Sequence, residues 1–184
     1  DKAEKDSMFA LLHEFENIAA HSEQTILGIR LFHHFPQDRY RLTWRSIFPE
    51  FMPKVTKQAL AEQNSDFPWF VATSIIRQES AFNMDARSRV KAQGLMQLMP
   101  GTAGDMGVKD PWDPEQNIFG GARYLRILAN KFDGDLVLTL SGYHAGGGAV
   151  DSVGGIPYEQ TAEYVRRVLN AYYRYQKQLP TKAP

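Results

Sequence analysis

A single carboxylate, Glu79, closes an apolar helical stretch that contains Phe70, Val71, Ala72, Ile75 and Ile76. After it come Ser80 and a glycine- and methionine-rich segment, Gln93-Gly94-Leu95-Met96-Gln97-Leu98-Met99-Pro100. A carboxylate set where a buried helix opens into a loop is partly stripped of water, which disfavours its charged form and raises its pKa. That is the property a general acid needs near neutral pH. Ser88, Gln93 and Gln97 supply neutral hydrogen-bonding groups, and Gly94 lets the backbone turn or approach a ligand closely. Met96, Met99, Tyr143 and Tyr164 offer soft or flat apolar faces. One acid, several neutral polar groups and apolar walls suit a sugar, whose hydroxyls need donors or acceptors and whose ring faces need an apolar surface. The same residues also have plainer readings. Glu79 without its context is a solvated helix-end carboxylate, Met96, Leu98 and Met99 are core fillers, and Tyr164 packs on the apolar face of its helix.

The positioning elements read as helices nearly throughout. Met8, Phe9, Leu11, Leu12, Phe15, Ile18 and Ala19 recur at spacings of three and four, and Ile26, Leu27, Ile29, Leu31 and Phe32 suggest a second helix. A break follows at Phe35-Pro36-Gln37-Asp38, so residues 1–38 form an N-terminal helical appendage or connector, and a domain proper spans 39–184 with Tyr40, Trp44 and Phe48 as early aromatic anchors. Helices are predicted near 53–64 and, after the cap signal Asn64-Ser65-Asp66, near 67–80. Pro100 opens a short helix that Gly107 ends; Asp113-Pro114-Glu115 starts another that runs to Phe132. Leu136 to Ala145 is a buried apolar helix. Gly146-Gly147-Gly148 is a flexible run, and a last helix carries Tyr164, Val165, Val168, Leu169 and Tyr172 on one face. Strand pieces are confined to the region around 82–95. The expected class is mainly α, with minimal sheet.

Composition narrows the chemistry. The chain has 184 residues, 43% hydrophobic and 23% charged, enough for one domain with a sizeable core. Lys plus Arg and Asp plus Glu each total 21, so no field for a polyanion is implied and nucleic acid is a poor partner. Cysteine is absent, which removes disulfides and thiolate metal sites. His13, His21, His33 and His34 lack metal-ligand spacing with a carboxylate, so no metal and no cofactor is expected. No stretch approaches the ~20 apolar residues of a membrane span. The start at Asp1 shows no basic-then-apolar leader, so any targeting segment is expected to precede this numbering.

Four motifs occur in order: Ile76-Arg77-Gln78-Glu79-Ser80-Ala81-Phe82-Asn83, Gly94-Leu95-Met96-Gln97-Leu98-Met99-Pro100, Tyr143-His144-Ala145-Gly146, and Glu163-Tyr164-Val165-Arg166-Arg167-Val168-Leu169. Over about residues 40–178 the chain resembles the soluble lytic transglycosylases, whose catalytic domain has a goose-type lysozyme-like fold. The resemblance implies cleavage of the β-1,4 bond between N-acetylmuramic acid and N-acetylglucosamine in peptidoglycan, leaving a 1,6-anhydro sugar. It implies Glu79 as the single acid and base, Ser88 as a contact near the N-acetyl group, Gln97 and Met99 as cleft-lining residues, and Tyr143 and Tyr164 as the family's two tyrosines, Tyr143 close to Glu79. His144 stands where the family has Asn, Gly146-Gly147-Gly148 where it has Gly-Pro-Gly, and Gln160-Thr161-Ala162 where it usually has Glu-Thr-Arg. His144 is thereby a substrate-binding candidate, either as a neutral hydrogen-bonding replacement for Asn or as a group that titrates near neutrality. Gln160 replaces a second glutamate that lines the cleft in some relatives.

One carboxylate is sufficient for such a reaction. Glycosidases with two place them about 5–5.5 Å apart when retaining and ~6.5–9.5 Å apart when inverting. Here Glu79 would protonate the glycosidic oxygen, the sugar's N-acetyl group would stabilise the oxocarbenium-like centre, and Glu79 would then take the proton from the C6 hydroxyl as it closes the ring. A goose-type lysozyme-like hydrolase of the same bond and a catalytically weak peptidoglycan-binding scaffold are the alternatives. The implied partners are peptidoglycan glycan strands, with room for other cell-envelope proteins. The implied location, periplasm or cell envelope, follows from the substrate class. The N-terminal helices resemble the end of the helical superhelix that precedes the catalytic domain in the long members.

Overall fold

Seven consecutive residues, Phe70 to Ile76, are buried on every side, so the helix they form must be the centre of the molecule. In the computed structural model, which describes residues 2–17, 20–35, 49, 51–64 and 67–178, this helix is the fourth in chain order. The helices are α1 (Lys2–Asn17), α2 (His21–His34), α3 (Pro53–Glu62), α4 (Phe70–Ser80), α5 (Pro100–Asp105), α6 (Pro114–Lys131), α7 (Leu136–Ala145), α8 (Gly147–Val153) and α9 (Glu159–Gln178). α9 lies along α4, while α3 and α6 cover other sides of it. α7 bridges α6 and α9. The main core gathers Ile75, Ile76, Leu95, Met96, Leu125 and Val168, all nearly inaccessible to water.

Local chemistry explains four of the helix starts. Pro53, Pro100 and Pro114 occupy first-turn positions, where the missing N–H costs nothing. The Asp113 carboxylate accepts from the Gln116 N–H at 2.8 Å and that of Asp135 from the Leu138 N–H at 2.9 Å, each satisfying an orphan donor. α4 begins at Phe70 with Trp69 as N-cap and no side-chain cap, so the cap signal at Asn64-Ser65-Asp66 does not start it; Ser65 and Asp66 lie outside the described residues. The Tyr40–Trp44 anchors and the boundary near 38 fall in residues 36–48, also outside them.

Two further expectations need correction. Gly147 and Gly148 are not a flexible run: Gly146, at φ +84°, ends α7 and opens α8, which begins at Gly147. What holds this glycine-rich turn in a helix is tertiary, since Val150 is buried against Leu128 and Phe132 and Asp151 pairs with Lys131. The strand pieces reduce to isolated antiparallel bridges, Arg87 with Gln93 and Gln93 with Leu98. The N-terminal pair α1 and α2 contributes Leu12 and Leu31 to a second cluster with Phe70, Ala171 and Tyr175, so it rests on the α4 and α9 layer.

The segment between α4 and α5 is held by one buried side chain. Asn117, on α6, accepts from the Met96 N–H at 2.7 Å, and its amide donates to the Gln93 and Pro111 carbonyls at 3.0 and 2.9 Å. Gly94, at φ +74°, lies so close that an added Cβ would collide with the Asn117 amide and the Pro111 carbonyl. Asn117→Ala would strand three backbone groups in a buried setting, at roughly 1–3 kcal/mol for each group left unsatisfied. Urea denaturation should therefore show a loss on the order of 3 kcal/mol, with an unchanged m-value.

Candidate active site

Glu79 sits in the last turn of α4, one residue before the helix ends at Ser80. The ending is abrupt because Ala81 and Phe82 both adopt left-handed backbone, at φ +49° and +67°. Neither is glycine, so this turn stores strain at the point where the chain leaves the acid. The Ala81 N–H still closes on the Arg77 carbonyl, and the Ser80 hydroxyl donates to the Ile76 carbonyl at 3.0 Å. The carboxylate is thereby fixed at the edge of the core, mostly covered and partly open to solvent.

Burial pushes the Glu79 carboxyl up to about 7, and the nearby Tyr164 phenol acts the other way, favouring the anion. Tyr164 comes from α9 and is buried; its hydroxyl makes no well-aligned hydrogen bond, so it approaches the carboxylate without closing on it. Tyr143, from α7, donates its hydroxyl to the Met96 carbonyl at 2.9 Å. Burial and then the Glu79 charge hold both phenols well above their ordinary range, so they stay neutral donors. Tyr124 packs on Tyr143 with ring centroids 5.4 Å apart. His144 is exposed; its ring stacks on Tyr164 at 4.5 Å and 29°, and its Nδ1 lies 3.2 Å from the buried Thr161 hydroxyl. Burial lowers its pKa, which favours the neutral ring.

The fold therefore couples Tyr143 and Tyr164 to Glu79 and stacks His144 on Tyr164. The other three candidates stand apart from that coupling. Ser88 accepts from the Ala92 N–H at 2.9 Å, and the Gln97 amide donates to the Ala86 and Gly94 carbonyls at 2.8 Å each. These polar groups knit the loop that carries them. Met99 is 44% exposed at the start of α5, as a groove-lining residue requires and a core filler does not. Gln160 is exposed at the start of α9. Asn117, Tyr124 and Thr161 were not singled out by sequence reasoning. The one signal available was a buried polar position in the apolar pattern of α6, and it identifies Asn117 alone.

Fold and site together define a helical domain with one desolvated carboxylate at a helix end and no second acid acting on it among the described residues. The family model described as the transglycosylase SLT domain matches residues 58–165, and the chain belongs to that family. It is similar to the soluble lytic murein transglycosylase of Escherichia coli K12, 32% identical over 180 residues, which cover 84% of this chain and 26% of that protein. A transglycosylase of the enterobacterial phage PRD1 is 46% identical over 88 residues, 48% of this chain and 32% of that protein. Among solved structures, the 70-kDa soluble lytic transglycosylase in complex with bulgecin A superposes with a TM-score of 0.80 at 26% identity, covering 97% of this chain and 31% of that one. An inactive Glu-to-Gln mutant of the lytic transglycosylase Slt from Pseudomonas aeruginosa gives 0.76 at 28% identity, covering 94% and 30%. The chain thus spans about a quarter to a third of the length of these relatives. The mainly helical, lysozyme-like fold is the one expected from the motifs.

The raised pKa has a consequence for stability. Between about pH 4.5 and 7 the folded chain holds a proton on Glu79 that an unfolded chain releases, so stability is lost as pH rises through that window. Glu79→Gln removes the loss. The variant should match the parent near pH 4 and gain stability at pH 8, up to on the order of 3 kcal/mol, as read from denaturation midpoints at the two pH values.

Proposed function

We propose that this chain carries the catalytic domain of a peptidoglycan lytic transglycosylase, an enzyme that cleaves the β-1,4 bond between N-acetylmuramic acid and N-acetylglucosamine and leaves a 1,6-anhydro end. The observation that carries the reading is the Glu79 carboxyl, pushed up to about 7 by burial with no second carboxylate acting on it among the described residues. A group with that pKa is substantially protonated at neutral pH and able to take the proton back. In the first half of the reaction it donates to the glycosidic oxygen. In the second it accepts the proton of the C6 hydroxyl as that oxygen bonds to C1, so one proton leaves and returns. The nucleophile belongs to the substrate, and a second acid is not required.

The surroundings support these roles. Neutral Tyr143 and Tyr164 keep positive charge away from the acid and let desolvation dominate. His144, whose pKa is lowered by partial desolvation where it meets Tyr164 and Thr161, serves as a hydrogen-bonding replacement for the family's Asn. Ser88, Gln97 and Met99 belong to the loop that walls the groove, where Ser88 and Gln97 act through the backbone they order and Met99 through its exposed face. The N-terminal helices of residues 1–38 and the catalytic domain of 39–184 are part of the same proposal, supported by a family match that lies wholly within the second segment. So is a cell-envelope location, the place of the substrate. Among the described residues no helix is long and apolar enough to cross a membrane.

Mass spectrometry of digested sacculi tests the reaction. Products should carry anhydro ends, lighter than reducing ends by one water, and Glu79→Gln should release none above background. Reducing ends would make the domain a hydrolase instead, and full activity of the variant would remove Glu79 from the chemistry. The pH profile tests the state of the acid. Protonated Glu79 is the form that starts cleavage, so kcat/KM should be flat below about pH 7 and fall above it. Tyr164→Phe deletes the influence that lowers the Glu79 pKa, so this alkaline limb should move to higher pH; a limb that stays put would uncouple the two groups.

A further inference from the structure

α4 ends one residue beyond Glu79, so the place of the acid depends on what stops the helix. The stop is the left-handed pair Ala81 and Phe82, which brings the Asn83 N–H onto the Ser80 carbonyl at 3.0 Å in place of the Glu79 carbonyl that a continuing helix would use. Local preference runs against this turn. Alanine is the best helix former, and neither residue takes left-handed backbone without crowding its Cβ. Strain of this kind persists only where the surroundings over-determine it, so the turn needs tertiary support.

The support is an aromatic seat. The Phe82 ring is 3% exposed and meets Phe51, itself 7% exposed, with centroids 5.3 Å apart and planes at 38°. Phe51 is fixed by its own backbone, since its N–H closes on the Pro49 carbonyl at 3.0 Å and the next residue, Met52, caps α3. From α2, His21 sets its ring edge-on to Phe51 at 5.5 Å and 86°. The His21 Nδ1 is buried with no hydrogen-bond partner, so this side of the ring acts by packing. Phe51 and His21 both precede residues 58–165, the stretch that the family model matches.

The titratable groups that act on Glu79 come from other elements: Tyr164 of α9 and Tyr143 of α7, with Tyr124 of α6 behind Tyr143 and His144 stacked on Tyr164. Arg77 of α4 lies toward Tyr175 and Arg174. Lys54, Lys57 and Glu62 of α3 are exposed, as are Asp85, Arg87, Arg89 and Lys91 of the loop. Phe51 and Phe82 carry no charge, so they can reach the carboxylate only through geometry and the exclusion of water.

We propose that Phe51, backed by His21 of α2, is a positioning residue for the catalytic acid: it holds the Ala81–Phe82 turn that ends α4, so that a segment outside the family match fixes the helical turn on which Glu79 stands. The inference rests on the reading of Glu79 as the acid and base, and deepens it. A helix end without a firm stop frays. A frayed end would both misplace Glu79 and return water to it.

The test uses the full chain, isotope-labelled in its glutamate carboxyls. The Glu79 resonance, assigned by its loss in Glu79→Gln, is titrated by NMR without substrate. Phe51→Leu keeps an apolar side chain and loses the ring contact, and its Glu79 midpoint should lie at least roughly 0.5 pH below the parent's as water reaches the carboxylate. Phe51→Ala should move it further and His21→Ala less, in the same direction. Adding Ala81→Gly to Phe51→Leu supplies the residue that ordinarily ends a helix in left-handed backbone, and should restore the parent midpoint although the ring contact stays lost. On soluble glycan strands, kcat of Phe51→Leu should drop about tenfold with KM changed by less than about twofold, and the added glycine should recover it. An unchanged midpoint in Phe51→Leu with only Tm reduced makes Phe51 a packing residue and overturns the proposal, as does a shift that Ala81→Gly leaves in place. Should Phe51→Ala not fold, Phe51→Leu and His21→Ala decide. The titration needs no turnover, so a parent that releases no anhydro ends would sink the catalytic reading while leaving the midpoint comparison in force.

Discussion

The withdrawal of water from the Glu79 carboxylate is the interaction on which the rest of the structure is arranged. The contrast with Glu163 makes this concrete. Glu163, on α9, accepts from Arg166 and Arg167 at 2.7 Å, and those hydrogen bonds hold its carboxyl down to about 2. Among the described residues Glu79 has no such cation beside it, and burial outweighs the Tyr164 phenol in setting the direction of its shift. The same side chain is held as the anion in one place and pushed toward its protonated form in the other, and environment accounts for the difference. Keeping the acid unpaired costs stability above pH 7, a trade found where function and stability compete.

Three elements create that environment. α4 is buried on all sides from Phe70 to Ile76 and delivers its last turn to the core's edge. α9 and α7 supply phenols that cover the carboxylate without neutralising it. The loop from Ala81 to Met99 is held by left-handed turns of its own at Ala81 and Phe82 and, from outside, by the three hydrogen bonds of Asn117, against which Gly94 packs. A loop braced this way is ordered without a ligand, which would reduce the ordering cost of binding one.

The departures from the family's motifs fit the same frame. His144 stacks on Tyr164 and meets Thr161, and partial desolvation disfavours its charged form. The glycine triplet at 146–148 loses the proline of the family pattern yet still turns α7 into α8, because Val150 is anchored in a neighbouring cluster. Gln160 is solvent-exposed at the start of α9.

Much was legible in the residues alone. Helix periodicity, proline at first turns and the Asp113 and Asp135 caps are local effects, so α3, α5, α6, α7 and α9 appear within a few residues of their expected positions. The acid itself was legible, since an apolar run ending in Glu79 is a local pattern. The helix at Gly147–Val153 was not, because glycine disfavours helices locally and only distant contacts with Leu128 and Phe132 reverse that preference. Nor could sequence show that Gln97 and Ser88 spend their hydrogen bonds on their own loop, or that Asn117 holds that loop from another helix. Sequence determined which residue could carry a proton and which segments would be helical. Whether that residue lost its water, and which neighbours face it, depended on elements 64 to 85 positions further along the chain, and only tertiary packing brings those together.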